Sequence, residues 1–154
     1  MRILFVCHGN TCRSPAAEAL VRKMAMDADL DLHLDSAGIS ADRLGAAPTP
    51  AMQDLAQKAG YNMAGLKARK TTRTDYDDFD LMIGMDNSVV AKLIADRPAQ
   101  VRTRITGFMQ YADASGPDEI ADPWHTEDYP AAFDLIQKAA KALIVKLQSD
   151  QPRQ

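Results

Sequence analysis

One octapeptide holds the densest chemistry in this sequence: Cys7-His8-Gly9-Asn10-Thr11-Cys12-Arg13-Ser14. It follows the run Arg2-Ile3-Leu4-Phe5-Val6 and leads into Pro15-Ala16-Ala17-Glu18-Ala19-Leu20. A cysteine therefore ends one element and an arginine opens the next. A loop that closes onto a helix N-terminus turns backbone N–H groups inward, and with the helix dipole they form an anion site. Arg13 adds a planar fork that can hold two phosphate oxygens. A nearby cation and a helix N-terminus both lower a cysteine's pKa, so the same field favours a thiolate at Cys7. A thiolate beneath a bound phosphate is a nucleophile aimed at phosphorus. The bland alternative is a small buried hydrophobe at a strand end.

The elements around this loop must position it. Residues 2–6 read as a short buried strand. Ser14-Pro15 reads as a helix start, with Ser14 as cap and Pro15 at the first helical position. Gly9 is expected to let the backbone curl where a Cβ would obstruct it. From 14 to about 27, Ala17, Leu20, Val21 and Met24 fall at helical spacing. Leu32-His33-Leu34-Asp35-Ser36 alternates like a strand and runs into the loop signal Ala37-Gly38. His33 is read there as exposed or structural. Residues 40–50 are loop-like, and a helix opens at Thr49-Pro50 and stops at Gly60.

Residues 61–78 read as a solvated connection, in which Lys67, Arg69, Lys70 and Arg73 form a small basic cluster. The sharper alternative is a surface that attracts acidic substrates. Residues 79–83 and 101–108 read as the third and fourth strands. Between them a helix capped by Asp86 or Ser88 carries Val89, Val90, Leu93 and Ile94 and ends before Pro98. Residues 111–130 form a long loop, a feature usually functional in compact domains. A last helix carries Phe133, Ile136, Ala140, Leu143, Ile144 and Leu147, with fraying expected over 149–154. Strands alternating with helices imply right-handed crossovers and a parallel sheet covered on both faces. Such sheets bind ligands at the carboxyl ends of their strands, where Cys7 stands.

Composition narrows the function classes. The chain has 154 residues, 46% apolar and 25% charged, which fits a single domain spanning 1–154. A net charge of −3 argues against a nucleic-acid partner. No apolar stretch approaches the roughly 20 residues of a membrane span, and the N-terminus lacks a signal-peptide layout, so no membrane partner and a cytoplasmic location are expected. Two cysteines make no disulfide framework, and with three scattered histidines no metal site or cofactor is expected.

Attack on a phosphate monoester must expel an alkoxide or phenoxide, which is easier if an acid protonates the leaving oxygen. The long loop offers Asp113, Asp118, Glu119, Asp122, Glu127 and Asp128. Chemistry alone leaves the choice among them open.

The string Val6-Cys7-x-Gly9-Asn10-x-Cys12-Arg13-Ser14-Pro15, at the first strand-to-helix turn, resembles the signature loop of the low-molecular-weight protein tyrosine phosphatases. The likeness extends to Asp35-Ser36-Ala37-Gly38, Lys67-Ala68-Arg69, Met85-Asp86 and Asp122-Pro123-Trp124-His125. It implies an α/β, three-layer, flavodoxin-like fold, with a four-stranded parallel sheet of order 2-1-3-4 and helices on both faces. It implies hydrolysis of phosphotyrosine in a protein or peptide through a phosphocysteine, releasing inorganic phosphate. Cys7 would be nucleophile, Arg13 phosphate clamp, and Asp122 acid and then base.

The same resemblance assigns phosphate binding to the amides of His8, Gly9, Asn10, Thr11, Cys12 and Arg13. Asn10 and Ser36 would brace the loop, and Ser14 would donate a hydrogen bond to the Cys7 sulfur. Cys12 would pair with Cys7 on oxidation. Trp124 would wall the substrate ring, its apolar surface raising the acid's pKa. His125 would be a wall, a surface residue or a proton-transfer helper.

Three positions depart from the family pattern. Leu66 stands where relatives often have histidine, so Asp86 is expected to be partnered differently. Asp42 stands near a usual aromatic of the cleft wall. Thr11 resembles the phosphoarginine phosphatases of this fold, where a hydroxyl could orient a guanidinium or a water. A protein arginine phosphatase is therefore the alternative reading. An arsenate reductase would need further cysteines downstream, and a phosphocarrier or a phosphate-binding module would have no use for Asp122.

Overall fold

The computed structural model describes residues 1–40 and 42–152. Strand β1 (Arg2–Cys7) is central, with β2 (His33–Gly38) on one side and β3 (Leu81–Gly84) then β4 (Arg104–Gly107) on the other. All neighbours pair in parallel, giving the order β2-β1-β3-β4. Residues 3–7 of β1 are all buried, which is why this strand reads as an unbroken apolar run rather than an alternating one.

The pleat divides these side chains between two cores. Ile3 and Phe5 pack with α1 (Arg13–Asp27), α2 (Pro50–Lys58) and α6 (Tyr129–Ser149). Leu4 and Val6 face Tyr76 of α3 (Asp75–Asp78) and Val89 and Leu93 of α4 (Asn87–Asp96). A one-turn helix, α5 (Pro123–Thr126), completes the set. No helix of the described residues is long and apolar enough to cross a membrane.

Several expected boundaries move. Helix α1 begins at Arg13 with Cys12 as cap, so Ser14 lies inside the first turn; its hydroxyl is taken up by the loop behind it. Strand β2 continues through Ala37-Gly38, because Gly38 pairs with Cys7 and donates its N–H to the Arg69 carbonyl. β4 is only four residues long, and its expected end at Phe108 winds into a 3₁₀ turn over Phe108–Gln110. The loop expected over 111–130 contains α5 and the start of α6. Helix α6 ends at Ser149, while residues 153–154 of the expected frayed tail lie outside the described residues.

The role expected of Gly9 belongs to other residues. A Cβ there would meet nothing nearer than Thr11 Oγ1 at 3.8 Å, and the left-handed residue of the loop is Asn10, at φ 56°. The glycine that close packing demands is Gly38. A Cβ on it would lie 2.7 Å from the His8 carbonyl oxygen and 3.0 Å from the Asn10 nitrogen, both backbone atoms of the loop above. Gly38→Ala is therefore expected to lower unfolding free energy by about 1–3 kcal/mol, the scale of overpacking. Gly9→Ala should change it by no more than about 0.5 kcal/mol. Denaturant melts of the two variants check the contrast.

Candidate active site

Residues 7–14 wrap around the sulfur of Cys7 at the carboxyl end of β1. The sulfur lies 3.0 Å from Ser14 Oγ and accepts the Asn10 backbone N–H at 3.2 Å. Cys7 is almost wholly buried and lines one cleft. Of the loop amides expected to face a phosphate, the one on Asn10 is thus directed at the sulfur.

Asn10 is the hub of the loop. Its Nδ2 donates to Ser14 Oγ at 2.8 Å and to Ser36 Oγ at 3.0 Å, and its Oδ1 accepts the Arg69 N–H at 2.9 Å. Short polar side chains tolerate the left-handed conformation, which leaves the asparagine free to brace from inside. Ser36 in turn donates to the buried carboxylate of Glu18 at 2.7 Å, and Glu18 is paired one helical turn on with Arg22. Glu18 escaped the sequence reading because it sits in an ordinary helical run. Arg69 likewise proves structural, since its guanidinium bridges Asp35 and the buried Asp75. Of the basic cluster, Lys67, Lys70 and Arg73 are exposed, but the 61–78 segment is only partly a solvated connection, since Met63, Ala68, Asp75 and Tyr76 are buried and its end forms α3.

Arg13 is 1% exposed and lines the cleft floor. Its Nη1 donates to Asp86 Oδ2 at 2.7 Å and to the Ile120 carbonyl at 2.8 Å; Nη2 lies 3.4 Å from Asp122 Oδ2. Burial opposes its charge, but the Cys7 sulfur, Asp86 and Asp122 outweigh burial and hold its pKa above the ordinary value. Asp86 is partnered by Arg13, Ser88 and the Val89 N–H at the start of α4, and Leu66 joins the neighbouring core. For Asp86 too burial resists ionisation, yet these hydrogen bonds and the Arg13 charge prevail and its pKa is lowered. Cys12 behaves oppositely. Burial first, then the Cys7 and Asp122 charges, push its thiol up to about 12 against the pull of Arg13. It is a neutral thiol at neutral pH.

The cleft has a volume of about 860 Å³. Cys7, His8, Gly9, Thr11, Cys12 and Arg13 line it, as do Asp42, Asp122, Trp124 and His125. Of the six acids of the long loop, only Glu119 and Asp122 reach it. Glu119 is engaged by the N–H and side chain of Asn87, whereas Asp122 faces Arg13 and caps α5 through the Trp124 N–H. Ser14, Asn10 and Ser36 stand behind the loop as braces.

Trp124 lines the cleft as a largely exposed residue, 67% accessible, and the Arg43 guanidinium lies over its ring at 4.6 Å. Arg43, Thr49 and Tyr129 also line the cleft and were missed; nothing in their local sequence marks them, because chain segments distant from the loop bring them in. Among the described residues, no group of three or more His, Cys, Asp or Glu side chains could hold a metal ion.

The family model described as "Low molecular weight phosphotyrosine protein phosphatase" matches residues 2–153. The low molecular weight protein-tyrosine-phosphatase YfkJ of Bacillus subtilis is 31% identical over 150 residues, covering 96% of each chain. A putative enzyme of the same description from Synechocystis is 33% identical over 152 residues, again covering 96% of each. The crystal structure of YfkJ superposes with a TM-score of 0.93 at 30% identity, over 99% of this chain and 97% of that one. A Drosophila arginine phosphatase superposes with a TM-score of 0.90 at 29% identity, over 98% of this chain and 100% of that one.

The Asp86–Arg13 pair yields a pH-dependent prediction. A carboxylate whose folded pKa lies below its unfolded value of 3.8 stabilises fully above that value, and the contribution is lost as pH falls through the folded pKa. Asp86→Asn should lower stability by about 1–3 kcal/mol at neutral pH, the scale of a part-buried charged hydrogen bond. The gap from the unsubstituted protein should hold steady down to about pH 5 and narrow below about pH 4. Denaturant melts across pH 2.5–7 measure it.

Proposed function

The chain belongs to the low-molecular-weight phosphotyrosine protein phosphatase family, and on that premise we propose that it hydrolyses protein phosphotyrosine through a phosphocysteine at Cys7. The observation that carries the reading is the meeting of Cys7, Arg13 and Asp122 in one cleft, although 115 residues of sequence separate the first from the last. Phosphate enters over the sulfur. Arg13 and the remaining loop amides hold its equatorial oxygens, which carry the transition-state charge. The Cys7 thiolate attacks phosphorus, forming an S–P bond while the bond to the tyrosyl oxygen breaks. Asp122, protonated at that moment, gives its proton to the leaving oxygen.

The second step reverses the roles. Asp122, now ionised, takes a proton from water as that water's oxygen attacks phosphorus. The S–P bond breaks, inorganic phosphate leaves, and Ser14 hydrogen-bonds the departing sulfur. Asp86 takes no part in proton transfer; its charge keeps Arg13 oriented. Cys12, a neutral thiol, is a poor competing nucleophile beside Cys7. Two free thiols in one cleft suit a reducing compartment, and the reading therefore keeps the cytoplasm as location.

A second reading, phosphoarginine hydrolysis, is favoured by one observation: Thr11 lines the cleft beside Cys7 and Arg13. The 29% identity to an arginine phosphatase agrees with it. Trp124 in the cleft wall, an apolar surface for an aromatic ring, favours tyrosine.

Cys7→Ser is expected to abolish turnover of a phosphotyrosine peptide while inorganic phosphate still binds, as read by calorimetry; retained turnover would refute the nucleophile. Asp122→Asn should slow the phosphotyrosine peptide by roughly 10²–10⁴-fold, the span of general-acid catalysis. Nitrophenyl phosphate, whose leaving group needs little help, should slow far less. Equal slowing of both substrates would remove Asp122 from the acid role. Comparing kcat/KM on phosphotyrosine and phosphoarginine peptides separates the two substrate readings.

A further inference from the structure

The Arg43 side chain reaches across the cleft mouth from the loop after β2 and lies over the ring of Trp124 on α5. The other arginine of the cleft, Arg13, is bound to carboxylates, whereas among the described residues Arg43 has no carboxylate within 4.0 Å. Among the described residues, the partner recorded for its guanidinium is the ring face. Beneath it Ala46 donates to the Arg43 carbonyl, Gly45 donates to the Ala68 carbonyl, and Asp42 donates to Ser40 Oγ.

The 4.6 Å separation leaves no space for a second ring. A ring inserted between guanidinium and indole would need about 7 Å, two contact distances of about 3.5 Å each. A tyrosyl ring can take that face of Trp124 only by displacing Arg43. The released guanidinium then stands at the mouth, at the level of the residues flanking the phosphotyrosine. Neighbouring Cα atoms are about 3.8 Å apart, so one or two residues of peptide lie within its reach. The planar fork of an arginine fits a carboxylate there. Of the cleft's other carboxylates, Glu119 is engaged by Asn87, Asp86 and Asp122 face Arg13, and Asp42 is not within 4.0 Å of the Arg43 guanidinium.

We infer that Arg43 is a specificity-determining residue that selects phosphotyrosine peptides carrying a carboxylate one or two residues from the phosphorylated side chain. The inference rests on the phosphotyrosine reading above and names the peptide class that the site takes. Its chemistry is an exchange: the cation–π contact with Trp124 gives way to ring stacking and an ion pair.

The test uses two phosphotyrosine peptides identical except for Glu or Gln in the flanking positions. The unsubstituted protein should favour the Glu peptide by roughly two- to fivefold in kcat/KM, the range of an exposed ion pair, with the difference in KM. The preference should fade in about 0.5 M salt, where screening is strong. In Arg43→Ala it should fall to about one; Arg43→Lys should keep part of it. Trp124 is the sole tryptophan, so its emission reports the stack directly and should change in the free Arg43→Ala protein. Equal rates on both peptides, a preference that survives in Arg43→Ala, or unaltered emission would each overturn the inference while leaving the phosphotyrosine reading intact. Failure of the unsubstituted protein to hydrolyse either peptide, while it still hydrolyses nitrophenyl phosphate, would overturn both.

Discussion

Asn10 holds the loop against relaxation. It sits at φ 56° and binds Ser14, Ser36 and Arg69 through one amide side chain, while its own N–H points at the sulfur. A left-handed asparagine whose N–H is turned onto a buried sulfur is not the conformation that a free loop would choose. It persists because two of its bracing partners, Ser36 and Arg69, come from separate segments anchored elsewhere. Glu18 steadies Ser36, and Arg69 is locked between Asp35 and Asp75. An active site built this way is pre-organised: the donors are in place before any charge develops on the substrate.

Charge balance is the second layer. A buried guanidinium is costly unless paired. Asp86 and the Ile120 carbonyl occupy one edge of Arg13, which leaves the rest of the fork turned toward the cleft and Asp122. Burial favours the neutral form of Asp86 and of Cys12 alike, and Arg13 favours the charged form of both. At Asp86 the hydrogen bonds from Arg13, Val89 and Ser88 prevail and the carboxyl is lowered, whereas at Cys12 burial and the Cys7 charge prevail and the thiol is pushed up. One cysteine is thereby kept inert beside the other.

The sheet order, the helix faces and the meeting of Cys7 with Asp122 were legible from pattern and resemblance. The apolar run at 2–6 announces a doubly covered strand, and Asp122-Pro123 marks the head of a short helix. What stayed hidden depends on distance in space. Gly9 looked like the required glycine because it lies in the loop, yet the space is taken beneath the loop, at Gly38. Ser14 before Pro15 looked like a cap because local rules favour it, whereas its hydroxyl serves the sulfur. Arg43 carries no motif, and its position over Trp124 exists only once two remote loops are folded against each other.

Ile120 supplies the carbonyl that holds Arg13, from 107 positions further along the chain. A polypeptide emerging from the ribosome presents its cysteine early, gains Asp86 as a partner for the arginine later, and gains this carbonyl later still. A chain made only as far as residue 119 lacks both that carbonyl and Asp122, so the cleft is complete only when the last third of the sequence has been added.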